Sequence, residues 1–133
     1  MDEFTWPVRV YYEDTDAGGV VYYANYLRFM ERARTEWLRA LGFEQDALRE
    51  QGYLFAVKNV AIDYRLPAKF NNQLEVTSRI SGLGRASITF TQQVLRQQAC
   101  LADASIVVVC LDAALFRPKA LPDQLKKELQ RVC

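Results

Sequence analysis

The residues best suited to chemistry lie in the stretch YYEDTDAGGVVYYANY, Tyr11 to Tyr26. Asp14 and Asp16 stand one residue apart and lead into a Gly18-Gly19 pair, an aromatic cluster and a long amphipathic segment. A carboxylate at the end of a strand, beside a turn without side chains, lets a ligand approach the backbone closely. The helix that follows presents unpaired N–H groups and the positive end of its dipole near Tyr22 to Asn25. A carboxylate facing such a helix start can attack a carbonyl or activate water, while the N–H groups hold the developing oxyanion. Two simpler readings stand beside this one. Asp14 and Asp16 can be solvated turn formers with Asn25 as the helix N-cap. An Asp-X-Asp metal site is a third option, weakened by the lack of further clustered ligands.

Other chemistry is closed to this chain. It contains no histidine, so neither a Ser-His-Asp nor a Cys-His triad can be built from it, nor a His-ligated zinc site. Cys100 and Cys110 lie in or beside an apolar strand, where a thiol is ordinarily an inert small hydrophobe. Carboxylates, backbone amides and hydroxyls are left to do any work.

The elements that must position these groups follow from periodicity. Val8, Val10 and Tyr12 alternate with Arg9, Tyr11 and Glu13, as in a half-buried strand. Tyr26, Phe29, Met30, Ala33, Trp37 and Leu41 recur at helical spacing up to Gly42, a natural helix terminator. Arg28, Glu31, Arg32, Arg34, Glu36 and Arg39 make the charged face. Asp46 to Glu50 adds a short helical turn. Strands follow around Phe55 to Tyr64, Leu74 to Ile80, Ile88 to Val94 and Ile106 to Leu111. The parity change between Val57 and Val60 predicts a bulge near Lys58-Asn59. The run SIVVVCL is β-branched on both faces, as in a central strand covered on two sides. Pro122 opens a short C-terminal helix carrying Leu125, Leu129 and Val132. Short connections favour an antiparallel sheet, and the one long helix must bury its apolar face against it. The expected fold class is α+β, a curved sheet of about five strands around one helix. An unpaired sheet edge invites dimerisation.

The stretches YEDTDAGGVVYYANYLRFMERAR, VKNVAIDYRLPAKFNNQLEV, GRASITFTQQV and VVVCLDAALFRPKALP together resemble the 4-hydroxybenzoyl-CoA thioesterase family of hotdog-fold proteins. They are most similar to the YbgC-type acyl-CoA thioesterases associated with the Tol-Pal system. The resemblance implies one hotdog domain over residues 1–133 that hydrolyses acyl-CoA to free acid and CoA without metal or other cofactor. It implies Asp16 as nucleophile or general base and the Tyr23 backbone N–H as the group that polarises the carbonyl. Asp14 has no catalytic counterpart and is expected to order the turn. Arg85, in GLGRAS, matches a position associated with the nucleotide of CoA. Arg117 and Lys119 are further candidates for its phosphates, and Gly18 and Gly19 for substrate approach. Many YbgC-type members carry histidine where this chain has Tyr23; an amide role survives any side chain there. Asn72 replaces a usual acid at a turn. The family places its site at a dimer interface, so a homodimer or homotetramer is expected, with acyl-CoA or acyl carrier protein as partner. A non-hydrolytic acyl-CoA or acyl-carrier-protein binding module is the alternative, since hotdog folds host several functions. A hotdog dehydratase needs an acid-histidine pair that is absent here.

The totals set the outer bounds. The chain has 133 residues, half of them hydrophobic and a quarter charged, with a formal net charge of +1. That is enough for one core and offers no global field to draw in nucleic acid. MDEFTWPVRV lacks the basic and apolar regions of a signal peptide. Ile106 to Leu111 is far shorter than the roughly 18 apolar residues of a membrane span. Cys100, Cys110 and Cys133 make an odd count without metal-ligand spacing, which fits a reducing cytoplasm.

Overall fold

The computed structural model describes residues 2–133. Five strands form one sheet in the order β1 (Phe4–Arg9), β3 (Gln73–Leu83), β4 (Ser87–Arg96), β5 (Ala99–Asp112), β2 (Tyr53–Tyr64), and every neighbouring pair is antiparallel. The first two strands in sequence are thus the two outer edges. The chain between them must cross the whole sheet, a width of about 19 Å at ~4.8 Å per strand. Helix α1 (Asn25–Ala40) makes that crossing; its 16 residues span about 24 Å at 1.5 Å per residue. It packs against β1, β3 and β4.

The helix buries Tyr26, Phe29, Met30, Ala33, Trp37 and Leu38 against Val76, Ile80, Ile88, Phe90, Val94, Ile106 and Val108 of the sheet. It ends as expected at Gly42, whose φ of 97° admits the left-handed turn. There the Phe43 N–H donates to the Leu38 carbonyl at 2.8 Å, and the Gly42 N–H to that of Arg39 at 3.0 Å. Helix α2 (Gln45–Glu50) and helix α3 (Asp123–Val132) follow the sequence reading closely; α3 buries Leu125, Leu129 and Val132.

Three expectations need correction. The first strand ends at Arg9, and Tyr12 lies exposed in a 3-10 turn, Tyr12–Asp14. Its partner β3 begins at Gln73, opposite Arg9; Val10 still exchanges backbone hydrogen bonds with Asn71 and Asn72, but beyond it no ladder remains to hold Tyr11 to Glu13 extended. Strand β5 is interior to the sheet, but within the run Ser105 to Leu111 only Ile106, Val108 and Cys110 are buried; Ser105 is exposed and Val107 and Val109 are half-buried on the other face. Arg34 is not on the solvent face. It is 7% exposed and donates to Gln92 Oε1 at 2.9 Å, while Gln92 Nε2 donates to the Met30 carbonyl and to Ser78 Oγ. The bulge in β2 lies where the parity change put it, between Val57 and Asn59. Beyond it the strand's outer side is unpaired, and Ala56 to Ala61 are exposed.

Candidate active site

The segment between β1 and α1 folds back on itself as a small hairpin. Thr15 bridges Val21, the Asp16 N–H donates to the Val20 carbonyl at 2.9 Å, and the Tyr22 N–H to that of Asp14 at 2.8 Å. Gly19 closes the turn at φ 81°, a conformation costly for a residue with a Cβ. The hairpin is anchored from outside by the β2–β3 connection. Val20 bridges Lys69, the Val21 N–H donates to the Ala68 carbonyl, and the Ala68 N–H donates to the Tyr26 hydroxyl.

The two carboxylates, alike in sequence, meet different environments. Asp14 is 5% exposed, its oxygens accepting from the Tyr11 N–H and from Asn25 Nδ2. Asp16 is exposed; its Oδ1 accepts from the Gly18 N–H at 2.8 Å, which fixes the carboxylate over the turn. Asn25 is the first residue of α1 and gives no side-chain N-cap, so the reading as a cap fails. Both glycine N–H groups are used within the turn, Gly18 on Asp16 Oδ1 and Gly19 on the Asp16 carbonyl. What they offer a ligand is the lack of side chains.

Tyr23 lies just before α1. Its ring is exposed, and its carbonyl accepts from the Tyr64 hydroxyl at 2.9 Å. Among the described residues its N–H meets no protein acceptor. The Tyr22 carbonyl, in the same peptide group, accepts from the Asn25 N–H at 2.8 Å. In a trans peptide the N–H points away from its carbonyl, so this bond aims the Tyr23 N–H outward. Burial, then the neighbouring Tyr23 and Tyr26, push the Tyr64 phenol above its ordinary range, which keeps it a donor at neutral pH. Tyr64 was not singled out from the sequence; its place at the end of β2 beside an aromatic cluster was the available signal.

The cations lie elsewhere. Lys119 sits 4.1 Å from the Tyr53 ring centroid, donates to the Gly52 carbonyl and is 3.8 Å from Asp112. Arg85 is exposed in the β3–β4 turn, its carbonyl accepting from the Leu121 N–H; Arg117 is exposed beside the end of β5. Tyr53 and Tyr64 are the two ends of β2, which at ~3.3 Å per residue places them roughly 36 Å apart. Within one chain, Asp16 lies in the hairpin and Tyr23 directly follows it, while Arg85, Arg117 and Lys119 gather at the opposite end of the sheet. Between α1 and the open edge of β2 runs an apolar groove of about 310 Å³, lined by Leu27, Arg28, Glu31, Arg34, Val57, Val60 and Ile106. Among the described residues no cluster of His, Cys, Asp and Glu is built to hold a metal, and no helix is long and apolar enough to cross a membrane.

The chain matches the family described as the thioesterase-like superfamily over residues 10–129. It is 49% identical to the acyl-CoA thioesterase YbgC of Haemophilus influenzae over 124 residues, covering 92% of this chain and 91% of that protein. It is 43% identical to the acyl-CoA thioester hydrolase YbgC of Escherichia coli O6:H1 over 129 residues, covering 96% of each. The crystal structure of a probable thioesterase from Bartonella henselae superposes with a TM-score of 0.87 at 34% identity, covering 91% of this chain and 100% of that one. An antiparallel sheet crossed by one long helix, with these relatives over nearly its whole length, assigns the chain to the thioesterase-like superfamily of hotdog-fold proteins.

Proposed function

We propose that this thioester hydrolase acts on acyl-CoA, adding water across the thioester to give a carboxylic acid and the free thiol of CoA, with Asp16 and the Tyr23 N–H as its working groups. The observation that carries the reading is that a short hairpin carries an oriented, solvent-facing carboxylate and leads directly into an outward-aimed, unpaired N–H at a helix start. The N–H would polarise the thioester carbonyl and hold its developing negative charge; the carboxylate would attack that carbonyl or take a proton from the attacking water. The lack of side chains at Gly18 and Gly19 leaves room for the thioester to reach both.

The site in this reading is completed by a second copy of the chain. The unpaired edge of β2, exposed from Ala56 to Ala61 beside an apolar groove, supports pairing through this strand. Antiparallel pairing about a two-fold axis through its middle would lay the Tyr64 end of one copy along the Tyr53 end of the other. Arg85 and Arg117 would then approach the hairpin of the partner and meet the phosphates of CoA there.

Thiol release from a panel of acyl-CoA esters, short to long, tests the activity. Asp16→Asn should lower turnover by about 10²–10⁴ while CoA-ester binding persists. Wild-type turnover in that variant would sink the assignment; ester binding by the wild type with no thiol release would leave a binding module. Single-turnover hydrolysis in isotopically labelled water probes the two roles of Asp16: an anhydride formed by carboxylate attack and opened by water at the aspartyl carbonyl leaves label on the protein, whereas general-base catalysis puts it in the released acid alone.

A further inference from the structure

Asp14 is a buried carboxylate with no part in the chemistry proposed above, and it is tied at every polar atom. Its N–H donates to the Tyr11 carbonyl, its Oδ2 accepts from the Tyr11 N–H at 2.9 Å, its Oδ1 from Asn25 Nδ2 at 2.8 Å, and its carbonyl from the Tyr22 N–H at 2.8 Å. Asn25 is 6% exposed, and its own N–H holds the Tyr22 carbonyl at 2.8 Å. Asp14, Tyr22 and Asn25 thus close a ring of three hydrogen bonds. The ring joins the strand that carries Asp16 to the peptide whose N–H belongs to Tyr23.

A hairpin turn needs no buried charge to stay closed; glycines and a backbone ladder suffice. Burying a carboxylate beside a carboxamide costs desolvation that only fully made, charge-assisted bonds offset. What the ring adds is a fixed relation between two groups on separate backbone segments. We infer that the Asp14–Asn25 pair is a positioning device that sets the separation and orientation of the Asp16 carboxylate and the Tyr23 N–H. The inference rests on the function proposed above. Neither side chain touches substrate. Each acts through the group it holds: Asp14 through the hairpin two residues before Asp16, Asn25 through the Tyr22–Tyr23 peptide. Small misplacements of reacting groups cost rate steeply, while ground-state binding through distant contacts is spared.

The test uses the full chain as wild type, Asp14→Asn, Asn25→Ala, the pair Asp14→Asn with Asn25→Ala, and the exchange Asp14→Asn with Asn25→Asp. The exchange is the control for folding. Its new amide at position 14 keeps an oxygen for the Tyr11 N–H and an N–H for the new carboxylate at position 25, so the ring is remade with donor and acceptor reversed. Thiol release and melting temperature are measured for each, with kinetics taken well below every melting point. Each single variant should lose about tenfold to a hundredfold in kcat with KM within about twofold. The broken pair should lose no more than the worse single, and the exchange should recover most of kcat. In an Asp16→Asn background, Asp14→Asn should change the residual rate by less than about threefold, because the group it orients is already gone.

Lower melting temperatures with kcat unchanged would overturn the inference and leave Asp14 and Asn25 as parts of the fold. So would an exchange that regains stability without regaining kcat. If wild type releases no thiol, or Asp16→Asn turns over like wild type, the proposed function fails first and takes the positioning role with it.

Discussion

Arg34 Nη1 donates to Gln92 Oε1 at 2.9 Å beneath α1, and among the described residues no carboxylate lies within ion-pair distance of the guanidinium. Desolvation holds this guanidinium below its usual range, partly opposed by Glu31, and its central carbon lies 5.8 Å from the Phe90 ring centroid. The carboxamide is saturated: it accepts from Arg34 and donates to Ser78 Oγ at 2.8 Å and the Met30 carbonyl at 2.9 Å. One amide therefore joins the middle of α1 to both β3 and β4. Gln92→Leu should destabilise by about 2–4 kcal/mol, because it strands a buried charge as well as removing bonds. Gln92→Leu combined with Arg34→Met should lose less than the sum of the two single losses, read by urea denaturation. Additive losses would show that the two side chains act independently.

Tyr23 presents two different groups, a phenol and a peptide N–H. Tyr23→Phe keeps the N–H and should cost less than about tenfold in kcat/KM, or roughly 1.4 kcal/mol. Tyr64→Phe removes the donor to the Tyr23 carbonyl and should cost about 1 kcal/mol of stability. A thousandfold loss of kcat/KM in Tyr23→Phe would make the phenol, and not the amide, the acid of the reaction.

Arg85 is exposed, and among the described residues its guanidinium has no partner. Arg85→Ala should raise KM for CoA thioesters by about 5- to 100-fold, as expected for one phosphate contact of roughly 1–3 kcal/mol. Short pantetheine thioesters, which lack the nucleotide, should be unaffected. Equal losses on both substrates would assign Arg85 to the fold.

Asp112 shapes the loop that presents Arg117. Its Oδ1 accepts from the Ala114 and Leu115 N–H groups, each at 2.9 Å, and its carbonyl from that of Phe116, a residue at φ 54°. The Leu115 and Ala114 N–H groups, with Lys119 nearby, hold its carboxyl below the usual value of 3.8. A carboxyl depressed in the folded state stabilises the fold above its unfolded pKa and loses that contribution as pH falls through the folded one. Asp112→Ala should therefore melt lower than wild type at neutral pH, and the gap should narrow below about pH 4. A gap that stays constant down to pH 2 would contradict this account.

Local chemistry was the legible part of this fold. The bulge at Val57 to Asn59 follows from a change of side-chain parity, and the end of α1 from Gly42, because each is decided by a few adjacent residues. Tyr12 reads as strand because alternation continues past Arg9, while the partner strand that would sustain it begins only at Gln73. Arg34 reads as a solvent-face charge because its acceptor, Gln92, and the Ser78 hydroxyl that helps hold Gln92 come from two remote strands. Both stand at inward positions of otherwise apolar alternation, and that was the overlooked signal. At the candidate site, Asp16 and Tyr23 are seven residues apart in sequence, on a hairpin and directly after it, so local pattern reaches both. The distance from them to Arg85 is set by the length of β2 and the order of the sheet, which no local pattern encodes.

That length has a genetic consequence. If each site draws its acid from one polypeptide and its phosphate-binding arginine from the other, two defective alleles can repair one another. A cell expressing Asp16→Asn and Arg85→Ala together would assemble mixed pairs in which one site inherits both lesions and the other inherits neither. With equal expression and random association, about a quarter of the sites would be intact. At low substrate this recovery should exceed the sum of the two alleles expressed singly. Absence of any such recovery from a demonstrably mixed population would place both residues in the site of a single polypeptide.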